Sequence, residues 1–91
     1  MMIATNAKER IRRSMLFVPG NNPSMIQTCP IYGADTIILD LEDSVAPSQK
    51  DAARRLVVHA IRELDFAGAE IAVRINAPDT EDGKRDIRAL R

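Results

Sequence analysis

Residues 36–41, Thr36-Ile37-Ile38-Leu39-Asp40-Leu41, form the clearest β-strand signal in this 91-residue chain. A β-branched start followed by an apolar run is typical of a strand buried at the centre of a sheet. Shorter apolar runs at 15–18 and 71–75 predict two further strands, and continuous runs of this kind favour strands buried on both faces. Helical patterns separate the three runs. The alternating order predicts an α/β fold with a parallel sheet and right-handed crossovers.

The helix boundaries follow from local signals. Asn22 is a candidate N-cap before Pro23, and Gly33 is a candidate stop for the short helix that follows. Ser48 is a candidate N-cap for a longer amphipathic helix that runs to about Leu64. The polar face of that helix is expected to be solvated and comprises Arg54, Arg55, Arg62 and Glu63. A third helix is expected over 83–91.

The composition indicates a small globular unit or part of a larger one. Lys+Arg and Asp+Glu number 13 each, and aromatic residues make up only 3% of the chain. Balanced charge and few aromatic side chains argue against nucleic-acid binding. Residues 1–13 are expected to form a polar, loosely docked N-terminal arm, and 14–91 to form the α/β unit. No apolar run is long enough for a signal peptide core or a bilayer span, so a cytoplasmic location without membrane contact is expected.

The single cysteine and single histidine are not expected to carry chemistry. Cys29 cannot form an internal disulfide, and its simplest role is as a small side chain packed on a helix. His59 lies inside a helical pattern with no partner nearby in the sequence. A surface or half-buried position is the simpler interpretation for this histidine.

Polar residues follow two of the predicted strands. Asp40 and Glu42 are expected to share one face of their strand, and Arg74 shares a face with Ala72 and Asn76. Ligands bind at the carboxyl ends of parallel strands, and a guanidinium there suits a carboxylate or phosphate. An ion pair between Arg74 and one of the acids is an equally open interpretation. Two acids alone do not supply the oxygen ligands that magnesium prefers.

Four motifs carry a family resemblance: RRSMLFVPG at 12–20, YGAD at 32–35, DLEDSV at 40–45 and VRIN at 73–76. In this order they resemble the citrate lyase/HpcH-HpaI aldolase family, over residues 12–91. The pair Arg12-Arg13 and the stretch 50–54 favour its citrate lyase beta branch. The resemblance implies that the chain is the N-terminal part, about three βα units, of a (β/α)₈ TIM barrel.

The resemblance also implies an activity, which is cleavage of a citryl thioester into oxaloacetate and an acetyl thioester with Mg²⁺. By motif, Arg74 would bind the substrate carboxylate, and Asp40 and Glu42 would line the metal pocket without ligating the metal. Phe17, Pro19 and Gly20 would flank the acyl group. The metal ligands are expected beyond Arg91, so the chain alone is expected to be inactive.

Several alternatives stay open within the resemblance. Malyl-CoA and citramalyl-CoA lyases have similar motifs, and the thioester is either that of CoA or that of a carrier protein. The expected partners are the small-molecule substrate, other citrate lyase subunits or an acyl carrier, and further copies in an oligomer. A non-catalytic binding piece or a truncated remnant is the remaining alternative.

Overall fold

The computed structural model describes residues 1–4 and 14–91. The Arg12-Arg13 pair of the first family motif lies outside this part of the chain. The described strands and α-helices are, in chain order, β1 (Met2–Ala4), β2 (Met15–Pro19), α1 (Pro23–Thr28), β3 (Thr36–Asp40), α2 (Lys50–Glu63), β4 (Glu70–Arg74) and α3 (Glu81–Ala89). Short 3₁₀ turns at Cys29–Tyr32 and Pro47–Gln49 precede β3 and α2 respectively.

The strands form one sheet in the order β1-β4-β3-β2. The β2–β3 and β3–β4 pairs are parallel, which confirms the predicted parallel α/β arrangement. β1 pairs with the outer edge of β4 in the antiparallel sense. Residues 2–4 of the expected N-terminal arm are thus paired with the sheet, and residues 5–13 of that arm lie outside the described part of the chain. β1 is only three residues long, which is too short to carry a strand pattern in the sequence.

The core lies between one face of the sheet and the helices. Ile37, Leu39 and Val73 contribute from the sheet, and Val57 and Ala60 contribute from α2. All five side chains are buried, in agreement with the alternation along the strands and the helical period of α2. This layer fixes which strand residues point to the opposite face of the sheet, where the polar cluster lies.

β2 differs from its prediction. A strand buried on both faces was expected, but Met15 is 60% exposed and Phe17 is 49% exposed. Both belong to the sheet face opposite the helices, since the inward-facing Val18 is buried. The apolar run at 15–18 favoured a strand buried on both faces, but β2 is an edge strand among the described residues.

The helix starts agree with the sequence in one case and differ in another. The Asn22 side chain accepts a hydrogen bond from the amide of Met25 at 3.0 Å, which confirms its role as N-cap. Ser48 is not the N-cap of α2, because a 3₁₀ turn comes first and Gln49 occupies the cap position without a side-chain bond. Gly33 ends the turn before β3 with a φ of 68°, as expected of a glycine stop.

Three side chains with reactive or charged groups have clear positions. Arg54 is buried, so its assignment to the solvated face of α2 is wrong. Cys29 is buried, which raises the pKa of its thiol, and His59 is exposed on α2.

Within residues 1–4 and 14–91, none of the helices has the length and apolar character needed to cross a membrane.

Candidate functional site at the carboxyl ends of the strands

Asp40 and Arg74 are neighbours because of strand register. Each is the last residue of its strand, and the two lie opposite each other in the parallel β3–β4 pair. Arg74 donates from Nε to Asp40 Oδ1 at 2.9 Å and from Nη2 to Asp40 Oδ2 at 2.8 Å. This is a bidentate, charge-assisted contact, which is the strong form of an arginine–carboxylate pair.

The Asp40 carboxylate is hydrogen-bonded on both oxygens by the loop that follows β3. Oδ1 accepts from the amide of Glu42 at 2.9 Å. Oδ2 accepts from the amide of Ser44 at 3.0 Å and from Ser44 Oγ at 2.6 Å. Burial by itself would raise the pKa of Asp40, but the bonds from Arg74, Ser44 and the two amides hold that pKa well below its usual range.

Two further acids approach the Arg74 guanidinium at longer distances than Asp40. Glu42 Oε1 lies 3.7 Å from Nε, and Asp43 Oδ2 lies 3.8 Å from Nη1. The guanidinium carbon is 5.4 Å from the centre of the Phe17 ring. Hydrogen bonding to Asp40 raises the pKa of Arg74 above its ordinary value, so the group stays charged. Asp40 accepts from Nε and Nη2 of the guanidinium, whereas Nη1 makes neither of these bonds.

An open cleft of about 350 Å³ adjoins this pair. Its lining consists of Phe17, Val18, Pro19, Asp40, Ser44 and Arg74. Two of the three residues expected to flank an acyl group therefore line the cleft. The third, Gly20, does not line the cleft and is buried. Its amide donates to the carbonyl of Asp40 at 2.7 Å. A Cβ at Gly20 would lie 2.6 Å from that oxygen, so only glycine fits this close approach.

The loop after Asp40 is anchored by a lysine that sequence reasoning did not select. Lys50 Nζ, at the start of α2, donates to the carbonyls of Leu41 and Glu42, both at 3.0 Å. These bonds hold the loop in the conformation that directs the amides of Glu42 and Ser44 at Asp40. The lysine lies nine residues after Leu41 in a helix, and no strand or helix period singles it out.

Ser44 is the other site residue that was missed. It belongs to the DLEDSV motif at 40–45, and the motif alone predicts no contact for it. Its spacing of four residues from Asp40 is the available signal, since short loops after a strand often fold back on the last strand carboxylate. Glu42 lies beyond the end of β3, so it does not share a strand face with Asp40 as expected. It still approaches Arg74 because the loop turns back.

The described residues do not form a metal centre. No group of three or more His, Cys, Asp or Glu side chains in residues 1–4 and 14–91 is arranged to hold a metal ion. Both oxygens of Asp40 are already hydrogen-bonded to Arg74 and to the loop. Asp40 is thus suited to holding Arg74 in place and unsuited to ligating Mg²⁺.

Taken together, these features define a class of α/β protein with an arginine–carboxylate pair at the carboxyl ends of parallel strands. The chain belongs to the HpcH/HpaI aldolase/citrate lyase family, whose family model matches residues 13–91. This confirms the family resemblance of the motifs.

The relatives include citrate lyase subunits and malyl-CoA lyases. The citrate lyase subunit beta of Leuconostoc mesenteroides subsp. cremoris is 51% identical over 90% of this chain and 27% of its own length. The Escherichia coli (strain K12) subunit beta is 51% identical over 91% of this chain and 28% of its own length. The L-malyl-CoA/beta-methylmalyl-CoA lyase of Rhodobacter capsulatus is 42% identical over 92% and 26% respectively. The chain therefore spans about a quarter of the length of these curated relatives.

Solved structures agree with this assignment. The citrate lyase beta subunit of M. tuberculosis, complexed with oxaloacetate and magnesium, matches with a TM-score of 0.66 and 42% identity. The match covers 84% of this chain and 32% of the other. The M. tuberculosis protein CitE in complex with magnesium, acetoacetate and coenzyme A matches with a TM-score of 0.69, 40% identity, and coverages of 88% and 29%.

Proposed function

We propose that this chain is the N-terminal segment of a (β/α)₈-barrel lyase that cleaves a citryl thioester into oxaloacetate and an acetyl thioester. Membership of the family supports the lyase class, and the 51% identity to two citrate lyase beta subunits supports the citryl substrate. The bond that breaks joins the alcohol carbon of the citryl group to the methylene carbon of the thioester. The alcohol becomes the ketone of oxaloacetate, and the methylene carbon gains a proton.

One observation carries the role of the chain in this reaction. Arg74 is held by Asp40 through Nε and Nη2, so its Nη1–Nη2 edge can bind a substrate carboxylate in the adjoining cleft. A planar guanidinium binds a carboxylate through two parallel bonds, which orients the substrate as well as attracting it. Phe17 and Pro19 supply an apolar wall of the same cleft.

The carboxylates around Arg74 are a reason to expect that the complete lyase needs a further cation to bind its substrate. Three carboxylates, those of Asp40, Glu42 and Asp43, lie within 4 Å of the Arg74 guanidinium. The ammonium of Lys50 is bonded to the loop carbonyls of Leu41 and Glu42. A substrate with several carboxylates needs additional positive charge close by. Mg²⁺ is present in relatives solved with oxaloacetate or acetate, and we propose that the complete lyase uses it, held by residues other than those described.

A chimera tests this proposal. The matching segment of the Escherichia coli subunit beta is replaced by residues 14–91 of this chain, and oxaloacetate release from a citryl thioester is measured with Mg²⁺. We expect turnover by the chimera and none above the buffer blank by the chain alone. Arg74→Ala should raise KM, with Arg55→Ala, exposed on α2, as the matched control.

The results also separate the alternatives. Preferential turnover of a malyl thioester would assign the segment to the malyl-CoA lyases, to which it is 42% identical. A folded but inactive chimera would contradict a catalytic role and favour a non-catalytic binding piece. An Arg74→Ala chimera with unchanged kinetics would exclude Arg74 from the substrate site.

A further inference from the structure

A second polar network lies behind the cleft, between α2, α3 and the end of β4. Its centre is Asp86, which is completely buried on α3. Asp86 Oδ1 accepts from Arg54 Nε at 2.8 Å. Asp86 Oδ2 accepts from the backbone amide of Asn76 at 2.9 Å and from Asn76 Nδ2 at 2.7 Å. Arg54 is also paired with Asp51 at 2.5 Å and Asp82 at 3.3 Å.

This network reaches the cleft through one backbone carbonyl. Asn76 Nδ2 also donates to the carbonyl of Leu41 at 3.0 Å, and Leu41 directly follows Asp40. The amide of Leu41 donates to the carbonyl of Arg74 at 2.9 Å. The carbonyl of Leu41 also accepts from Lys50 Nζ at 3.0 Å. The backbone of Leu41 is therefore held by Asn76, Lys50 and Arg74, immediately before the loop whose amides bind Asp40.

Stability alone does not account for such a network. Burying an arginine and an aspartate costs desolvation energy, and well-packed apolar side chains often stabilise a protein equally well. The network does provide a defined geometry. Asn76 Nδ2 donates both to the carboxylate of Asp86 and to the carbonyl of Leu41, at the start of the loop after Asp40. Both bond lengths are within the normal range.

We propose that Asn76, held by Asp86, is a positioning residue for the Asp40–Arg74 pair. It fixes the Leu41 peptide, and the fixed peptide directs the amides of Glu42 and Ser44 at Asp40. The catalytic consequence rests on the proposed lyase function. The positioning itself is a property of the chain and is measured without substrate.

Amide hydrogen exchange in the full 91-residue chain tests the proposal. The variants are Asn76→Ala and Asn76→Ser. Serine has one hydroxyl hydrogen where the Asn76 amide has two N–H hydrogens, so it cannot donate to both Asp86 and the carbonyl of Leu41. Asp79→Ala, exposed in the same β4–α3 loop, is the matched control. If Asn76 has a positioning role, its variants should exchange the amides of Glu42 and Ser44 roughly tenfold faster than the wild-type chain. The amides of Leu39 and Val73 should exchange less than about threefold faster than in the wild-type chain.

The comparison of these amides decides between positioning and simple packing. An equal increase at the loop and at the buried strand amides, in both variants, would overturn the proposal and leave Asn76 a packing role. No change at Glu42 and Ser44 would overturn it as well. Because no turnover is needed, an inactive chimera would contradict the lyase function without affecting this result.

Discussion

Arg74 and Asp40 end adjacent parallel strands and are joined by two hydrogen bonds, Nε to Oδ1 at 2.9 Å and Nη2 to Oδ2 at 2.8 Å. The Asp40 side chain is buried, whereas the Arg74 side chain is 28% exposed. Removing the arginine would therefore leave a buried charge with fewer partners, and removing the aspartate would release an exposed one. The effects of substituting the two residues should differ accordingly.

Arg74→Lys should destabilise the fold. An ammonium cannot form the two parallel bonds to Asp40, and loss of a charge-assisted bond to a buried carboxylate costs about 1.5–3 kcal/mol. Thermal melting at a fixed protein concentration measures the effect, with Arg55→Lys on the exposed face of α2 as control. Equal melting temperatures for the two variants would show that the ion pair contributes nothing to stability.

Acid should weaken the fold through Asp40. Burial raises the pKa of this carboxyl, but the hydrogen bonds from Arg74, Ser44 and the loop amides lower it by more. The pKa in the folded state therefore lies below the pKa in the unfolded state. The unfolded chain then binds the proton more readily. The stabilising contribution is complete above the unfolded pKa of about 3.9 and is lost as the pH falls towards the folded pKa.

Asp40→Asn isolates this contribution. The variant should be less stable at neutral pH, and the stability difference from wild type should shrink as the pH is lowered from about 5 to about 3. Asp79→Asn, at an exposed loop position, is the matched control for the substitution itself. A constant difference between Asp40→Asn and wild type across this range would contradict the assigned pKa direction.

Gly20→Ala should disturb the end of β3. The added Cβ would lie 2.6 Å from the carbonyl oxygen of Asp40 and 3.0 Å from side chains of Leu41 and Val57. Overpacking of this kind typically costs about 1–3 kcal/mol. Ala52→Ser, exposed on α2, is a control for a small change at the surface. Wild-type stability in Gly20→Ala would mean that the strand end shifts freely.

The chain alone should self-associate through β2. Met15 is 60% exposed and Phe17 is 49% exposed on this edge strand, and unpaired apolar edges promote association. Sedimentation equilibrium should detect oligomers, and Met15→Lys should shift the distribution towards monomer. Met25→Lys, exposed on α1, is the control. A wild-type monomer with a sharp, concentration-independent melt would contradict this prediction.

The strands β2, β3 and β4 and the long helix could be predicted because their signals are local. The apolar runs and the helical period lie within a few residues of one another, as do Asn22 and the amide that it caps. The cluster of Asp40 and Arg74 was also within reach, since parallel strands place their carboxyl ends together. Local pattern therefore indicated the scaffold and the main polar pair.

The features that were missed depend on partners far away in the sequence. Arg54 has the spacing of a solvated residue on α2, but its partner Asp86 is 32 residues away. Lys50 is identified only by the carbonyls that it reaches. β1 is too short for any pattern, and its partner β4 is about 70 residues away. No periodicity in one sequence encodes such contacts.

The antiparallel pairing of β1 makes the two borders of the sheet unequal. A new parallel strand can be added beside β2 without breaking any described strand pairing, whereas a strand joining beside β4 must first displace Met2–Ala4. Only three residue pairs hold β1 there, compared with five between β3 and β4. Extension of the sheet beyond β4 would therefore be an exchange of one strand for another.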